Sequence, residues 1–113
     1  MCNKNKLDTI LKHLAVQIKE LFGDKLKDII LFGSYARGDY DDESDIDVMI
    51  LVDIDAEQLY KYRSAVRVIA RKIDWDYNVV TSIILQEYNL YKKYISASGF
   101  YKNVLKEGVS VGN

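Results

Sequence analysis

The 113-residue sequence contains no proline, one cysteine and one histidine. Without proline or any low-complexity tract, nothing marks an internal linker. A single cysteine, Cys2, excludes an internal disulfide and suits a reducing compartment. His13 lies in an amphipathic stretch and reads as an ordinary surface or boundary residue. An excess of one charge is also missing. Lys and Arg number 16 against 17 Asp and Glu, so no global basic field draws in nucleic acid and no acidic tail solubilises the chain. Long apolar runs are absent as well. Val48 to Val52 is far too short to span a bilayer, and MCNKNKLDTI lacks the apolar core of a signal peptide. What is present is ordinary globular composition, 49% apolar and 29% charged, in a length suited to one core. The expectation is a cytoplasmic, soluble, single domain over residues 1–113, without membrane contact or direct nucleic-acid binding.

Apolar periodicity orders the chain. Leu7, Ile10, Leu11, Leu14, Ile18, Leu21 and Phe22 recur at three- and four-residue spacing, a helix ending near Gly23. Leu26 to Phe32 reads as a strand covered on both faces, and Gly33-Ser34 breaks it. Asp45 to Val52 reads as a second strand. Asp55, with Gln58 three residues on, has the spacing of a capping box and opens a helix running to about Ile73. Asp76 to Leu85 reads as a third strand, Gln86 to about Ile95 as a helix, Ser96 to Gly99 as a turn, and Val109 to Val111 as a short edge strand. The order implies an α+β, α/β-like domain with a small mixed sheet flanked by helices. The helix between the second and third strands is long enough to be a crossover that makes them parallel.

The chemistry concentrates in LFGSYARGDYDDESDIDVMI, residues 31–50. Residues two apart on a strand share a face, so Asp45 and Asp47 project together, with Ile46 and Val48 opposite. Paired carboxylates raise each other's pKa unless a cation lies between them, and Mg²⁺ suits carboxylates, water and substrate phosphates. An isolated D-x-D is more simply the solvated end of an edge strand. Here Gly33 permits close backbone approach, and the Ser34 hydroxyl with adjacent N–H groups can hold phosphate oxygens. Arg37 adds a planar cation suited to phosphate.

Gly33-Ser34, ten residues, then Asp45-Ile46-Asp47 resembles the G-S-x10-D-x-D signature of the DNA polymerase β-like nucleotidyltransferases. GSYARGDYDDESDIDV is similar to the minimal nucleotidyltransferase (MNT) members of that superfamily. The resemblance implies a polymerase β-like fold and transfer of a nucleoside monophosphate, AMP from ATP or another NMP from its triphosphate, onto a protein or small-molecule acceptor. It implies two Mg²⁺ ions on Asp45 and Asp47, with Gly33 and Ser34 at the β- and γ-phosphates and Arg37 assisting. It further implies a third acid from the next strand, for which Asp76 is preferred, then Asp74. Asn78 or Thr81 at that position would leave a site that binds nucleotide and catalyses poorly.

The run DYDDESD lacks the glycine and final glutamate of a calcium loop and reads as a solvated connection. Tyr35 and Tyr40 flank the motif as candidates to stack on a base. Tyr88, Tyr91, Tyr94, Phe100 and Tyr101 form either core or an aromatic patch for a partner. Arg63, Arg67, Arg71 and Lys72 form a solvated face, or a modest basic patch for RNA or an acidic partner. Because the sequence ends at Asn113, the acceptor site is expected to be shared with another chain. The resemblance implies a HEPN-domain toxin paired with this chain as antitoxin, and a homodimer is the other route. The alternative function is an inactive MNT-fold module that docks such a partner; drug modification, as in aminoglycoside nucleotidyltransferases, fits so short a chain less well.

Overall fold

The computed structural model describes residues 3–111, so Cys2 lies outside the described residues. Asn3 caps the first helix, α1 (Lys4–Phe22), its side chain accepting from the Lys6 N–H at 2.8 Å. The predicted apolar stripe is the buried one: Leu7, Ile10, Leu11, Leu14, Ile18 and Phe22 all face the core. A 3₁₀ turn at Gly23–Lys25 leads into β1 (Leu26–Phe32), and the chain then enters a short helix, α2 (Gly33–Arg37). β2 (Ile46–Val52) follows the acidic loop. A second 3₁₀ turn (Ala56–Gln58) leads to α3 (Tyr60–Tyr77), then β3 (Thr81–Glu87), α4 (Tyr88–Tyr94), α5 (Gly99–Glu107) and the short β4 (Val109–Ser110). None of the described helices is long and apolar enough to cross a membrane.

The sheet order is β3-β2-β1-β4. β1 runs antiparallel to β2 and β4, while β2 and β3 are parallel, as the intervening helix implied. The mixed sheet is flanked on both faces. Ile29 and Leu31 of β1 and Ile46, Val48, Ile50 and Val52 of β2 pack with α1 and α3. Ile30, Met49 and Leu51, one residue out of phase, pack with Tyr91 of α4 and Val104 of α5. This alternation explains why both central strands are apolar without a break. It also fixes the direction of Asp47, which shares the face of Met49 and Leu51 and looks toward α5.

Several boundaries move. β2 starts at Ile46, because Asp45 precedes the first ladder bond, from the Ile46 N–H to the Val80 carbonyl at 2.8 Å. The third strand starts at Thr81, not Asp76. The α3 stripe continues through Ile73, which is fully buried, and the helix closes only at Asn78, in the left-handed conformation with φ 53°. Asp74 secures the connection by accepting from the Thr81 N–H at 2.9 Å and its hydroxyl at 2.8 Å. Asp55 makes no side-chain cap; Glu87, from the end of β3, accepts from the Ala56 N–H at 2.8 Å instead. The β3 strand extends to Glu87, so α4 starts two residues later than expected. Helix α5 was not foreseen, although Ser98 capping a run with Phe100, Tyr101, Val104 and Leu105 is a start signal followed by helical spacing. The tyrosine stripe packs inward at Tyr91, leaving Tyr94 and Phe100 exposed. His13 sits at the boundary, its Nδ1 3.2 Å from the Tyr77 hydroxyl, tying α1 to α3.

If Asp74 is a structural clasp, Asp74→Ala removes two hydrogen bonds to a charged acceptor. Urea unfolding is expected to show a loss of about 2 kcal/mol, with Mg²⁺-nucleotide affinity unchanged. Lost affinity at undiminished stability would return Asp74 to the candidate ligands.

Candidate active site

The antiparallel register of β1 and β2 sets Phe32 opposite Asp47. The chain must turn immediately afterwards to enter α2, and Gly33 makes that turn with φ +72°, a region unfavourable for residues with a side chain. The site adds a second requirement. A Cβ on Gly33 would run into the Asp47 carboxylate, meeting Oδ2 first, then Cγ at 3.1 Å and Cβ at 3.3 Å. The Gly33 turn and the Asp47 carboxylate are therefore closely packed across a bare Cα. No side-chain hydrogen bond caps the start of α2, where Ser34 lies.

Gly33, Ser34, Arg37 and Asp47 line one pocket of about 350 Å³. Helix α5 supplies the opposite wall with Phe100, which the sequence offered only as core or a partner patch, and with Asn103 and Glu107, which it did not single out. Arg37 donates from Nε to Asp39 Oδ2 and from Nη1 to Glu107 Oε2, both at 3.2 Å, and these bonds raise its pKa above the ordinary arginine value. The guanidinium thus crosses the pocket mouth between an adjacent loop and α5.

Asp45 is exposed and lines a neighbouring pocket of about 270 Å³ with Lys6, Asp42, Glu43 and Asn78. Its charge still reaches Asp47. Partial burial raises the Asp47 pKa most, the Asp45 carboxylate raises it further, and Arg37 offsets part of the effect. A partly buried carboxylate whose ionised form is further destabilised by a second carboxylate suits a hard divalent cation such as Mg²⁺. The acidic loop beside them is a closed turn: the Glu43 N–H donates to Asp41 Oδ1 at 2.9 Å and the Asp41 N–H to Ser44 Oγ at 3.0 Å. Tyr35 is buried and stacks on Tyr40 with centroids 4.2 Å apart, so the two rings face each other.

The structure does not bring the expected third acid to this cluster. Asp76 lies on the last turn of α3, 3.5 Å from Lys72, because the helix extends through it. Asp74 is held by Thr81, and Asn78 ends the helix. In the parallel register the residue beside Asp47 on β3 is Ser82. Among the described residues, no group of three His, Cys, Asp or Glu side chains is placed to hold a metal ion.

Gly33→Ala forces a side chain into both the strained φ and the Asp47 carboxylate. Urea unfolding is expected to show a loss of about 2 kcal/mol or more, with weaker Mg²⁺ binding. Wild-type stability in this variant would contradict the contact.

Comparisons with known proteins bear on the family and the fold. The family model described as "Nucleotidyltransferase domain" matches residues 11–111. A Methanocaldococcus jannaschii protein, named as a candidate protein adenylyltransferase, is 39% identical over 98 residues, covering 87% of this chain and 90% of its own. A crystal structure from Sulfolobus solfataricus, titled as a candidate nucleotidyltransferase, superposes with a TM-score of 0.65 at 21% identity. That alignment covers 94% of this chain and 79% of the other. A toxin–antitoxin structure solved with AMP-PNP superposes with a TM-score of 0.53 at 22% identity, over 88% of this chain and 70% of that one. The chain belongs to the nucleotidyltransferase domain family and is an enzyme of the nucleotidyltransferase type.

Proposed function

We propose that the chain is a single catalytic domain that binds ATP with Mg²⁺ and transfers AMP to a hydroxyl group on a partner protein. One observation carries the reading: the Gly33 turn rests directly against Asp47, so a polyphosphate on the turn would present its oxygens to the carboxylate pair. The Asp47 pKa, raised by burial and by Asp45, supports a cation there. The name of the archaeal relative supports AMP as the transferred group and a protein as the acceptor. The toxin–antitoxin neighbours support a protein partner, for which a HEPN-type toxin is the family-implied choice.

In this reading Asp45 and Asp47 hold the metal, Ser34 and the backbone N–H groups of the turn hold the terminal phosphates, and Arg37 exchanges its two carboxylates for phosphate oxygens. Bound Mg²⁺ would neutralise charge on the triphosphate and lower the pKa of the acceptor hydroxyl. The acceptor oxygen forms a bond to the α-phosphorus, the bond from that phosphorus to the β-bridging oxygen breaks, pyrophosphate leaves, and the hydroxyl proton passes to water. Asp76, paired with Lys72, stays outside this set. A second reading, a nucleotide-binding module that docks its partner with little transfer, is favoured by Ser82 standing where a third carboxylate would be expected.

Incubation of the protein with Mg²⁺, ATP labelled at the α-phosphorus and a HEPN-type partner separates the two. Label on the partner, reduced on the order of 10²-fold or more in Asp47→Ala, is expected. Tight binding without label would favour the docking module. A second outcome follows from the raised Asp47 pKa. Above that pKa the ionised carboxylate costs folding free energy, and as the pH falls through it the folded state takes up a proton and the cost disappears. At neutral pH without metal, Asp47→Asn is therefore expected to melt at a higher temperature than wild type, and the gap should close in acid. Mg²⁺ should raise the wild-type Tm and leave the variant unchanged. A variant less stable than wild type at neutral pH would contradict the assigned strain.

A further inference from the structure

We propose that the open edge of β3, with the arginine row of α3, is a docking site for an acidic, extended segment of a partner protein. This surface is separate from the pocket that holds Asp47. β3 is the terminal strand of the sheet, paired only with β2 among the described residues. The bond from the Ile46 N–H to the Val80 carbonyl sets the phase of the parallel ladder. Ser82, Ile84 and Gln86 turn their backbone groups to β2, so Thr81, Ile83 and Leu85 turn theirs outward. The Thr81 N–H confirms this direction, since it is taken by Asp74 from outside the ladder. The backbone groups of Ile83 and Leu85 have no strand partner there.

Natural sheets guard such edges with lysine, proline, a bulge or a covering element. The β3 sequence TSIILQE has no lysine and no proline, and its one charged residue, Glu87, is occupied at the far end by Ala56. A groove of about 350 Å³ runs along the strand between Thr81, Ile83 and Leu85 on one side and Arg63 and Arg67 on the other, over Val66. Arg63 and Arg67 are one helical turn apart, and Arg71 continues the row. All three are exposed, and none has an ion pair or hydrogen bond among the described residues. Like charges at this spacing weaken a helix. The nearby acids are engaged elsewhere, Asp74 with Thr81 and Asp76 with Lys72.

An unguarded edge supplies backbone pairing, and an uncompensated cationic row beside it selects the charge of what pairs. That combination fits an added strand whose side chains on the α3 face include carboxylates. It does not fit a second copy of this chain. Two β3 edges joined about a two-fold axis would bring the arginine rows of both copies together.

The test is an NMR titration of the isotope-labelled protein with a short capped peptide alternating glutamate and valine. Shifts confined to the amides of Ile83, Leu85 and their neighbours are expected, with affinity weakened about tenfold or more in Arg63→Glu/Arg67→Glu and by added salt. The same peptide with lysine in place of glutamate should not bind. Both arginines are surface residues outside the nucleotide pocket, so the double variant should bind Mg²⁺-ATP as wild type does. Absence of shifts, shifts indifferent to the charge reversal, or sedimentation showing that the free protein already dimerises through this edge would overturn the proposal.

Discussion

The contact between the bare Cα of Gly33 and the Asp47 carboxylate is the constraint on which the rest of the site depends. It requires β1 to end opposite Asp47, which the antiparallel register ensures, and it requires a residue that tolerates φ +72° with nothing attached. Moving β2 by one residue would turn Asp47 into the apolar layer of α1 and α3. The long apolar runs of β1 and β2 therefore do two things. They bury both faces of the sheet, and they lock the alternation that presents one carboxylate toward α5.

Function and stability oppose each other at this point. Asp47 is partly buried beside another carboxylate, an arrangement the fold tolerates because Val48, Met49 and Ile50 immediately after it are fully buried. Sites that hold cations commonly carry such local cost in the protein without its ligand. Arg37 offsets some of it while being drawn toward Asp39 and Glu107, so its charge is already positioned at the pocket mouth. Helix α5 thereby belongs to the site as much as to the core, closing the pocket with Phe100 and Asn103 and holding Arg37 through Glu107.

Much of this was legible in the sequence because it rests on periodicity. The α1 stripe and the doubly covered β1 follow from side-chain direction along a helix or strand, the parallel pairing of β2 with β3 from the length of the helix between them, and the G-S-x10-D-x-D spacing was legible as a family resemblance. What was not legible depends on tertiary competition. Trp75-Asp76-Tyr77 suits a strand by composition, yet burial of Ile73 and the clasp from Asp74 to Thr81 keep the segment in α3. Because the strand starts later, at Thr81, Ser82 and not Asp76 stands beside Asp47. The Asp55 capping box failed for a similar reason, since a carboxylate distant in sequence, Glu87, reached the helix start first. Helix α5 carried a readable start at Ser98, but its role as a pocket wall follows only from the packing of Val104 against the sheet.

The central claim is that Asp45 and Asp47 share a divalent cation with a polyphosphate seated on the Gly33-Ser34 turn. The most direct measurement is anomalous diffraction from a crystal grown with Mn²⁺ and a non-hydrolysable ATP analogue. The account predicts a peak between the two carboxylates, with oxygens of the triphosphate completing its coordination beside Ser34. A peak elsewhere, or a nucleotide bound with Asp45 and Asp47 turned apart, would contradict it.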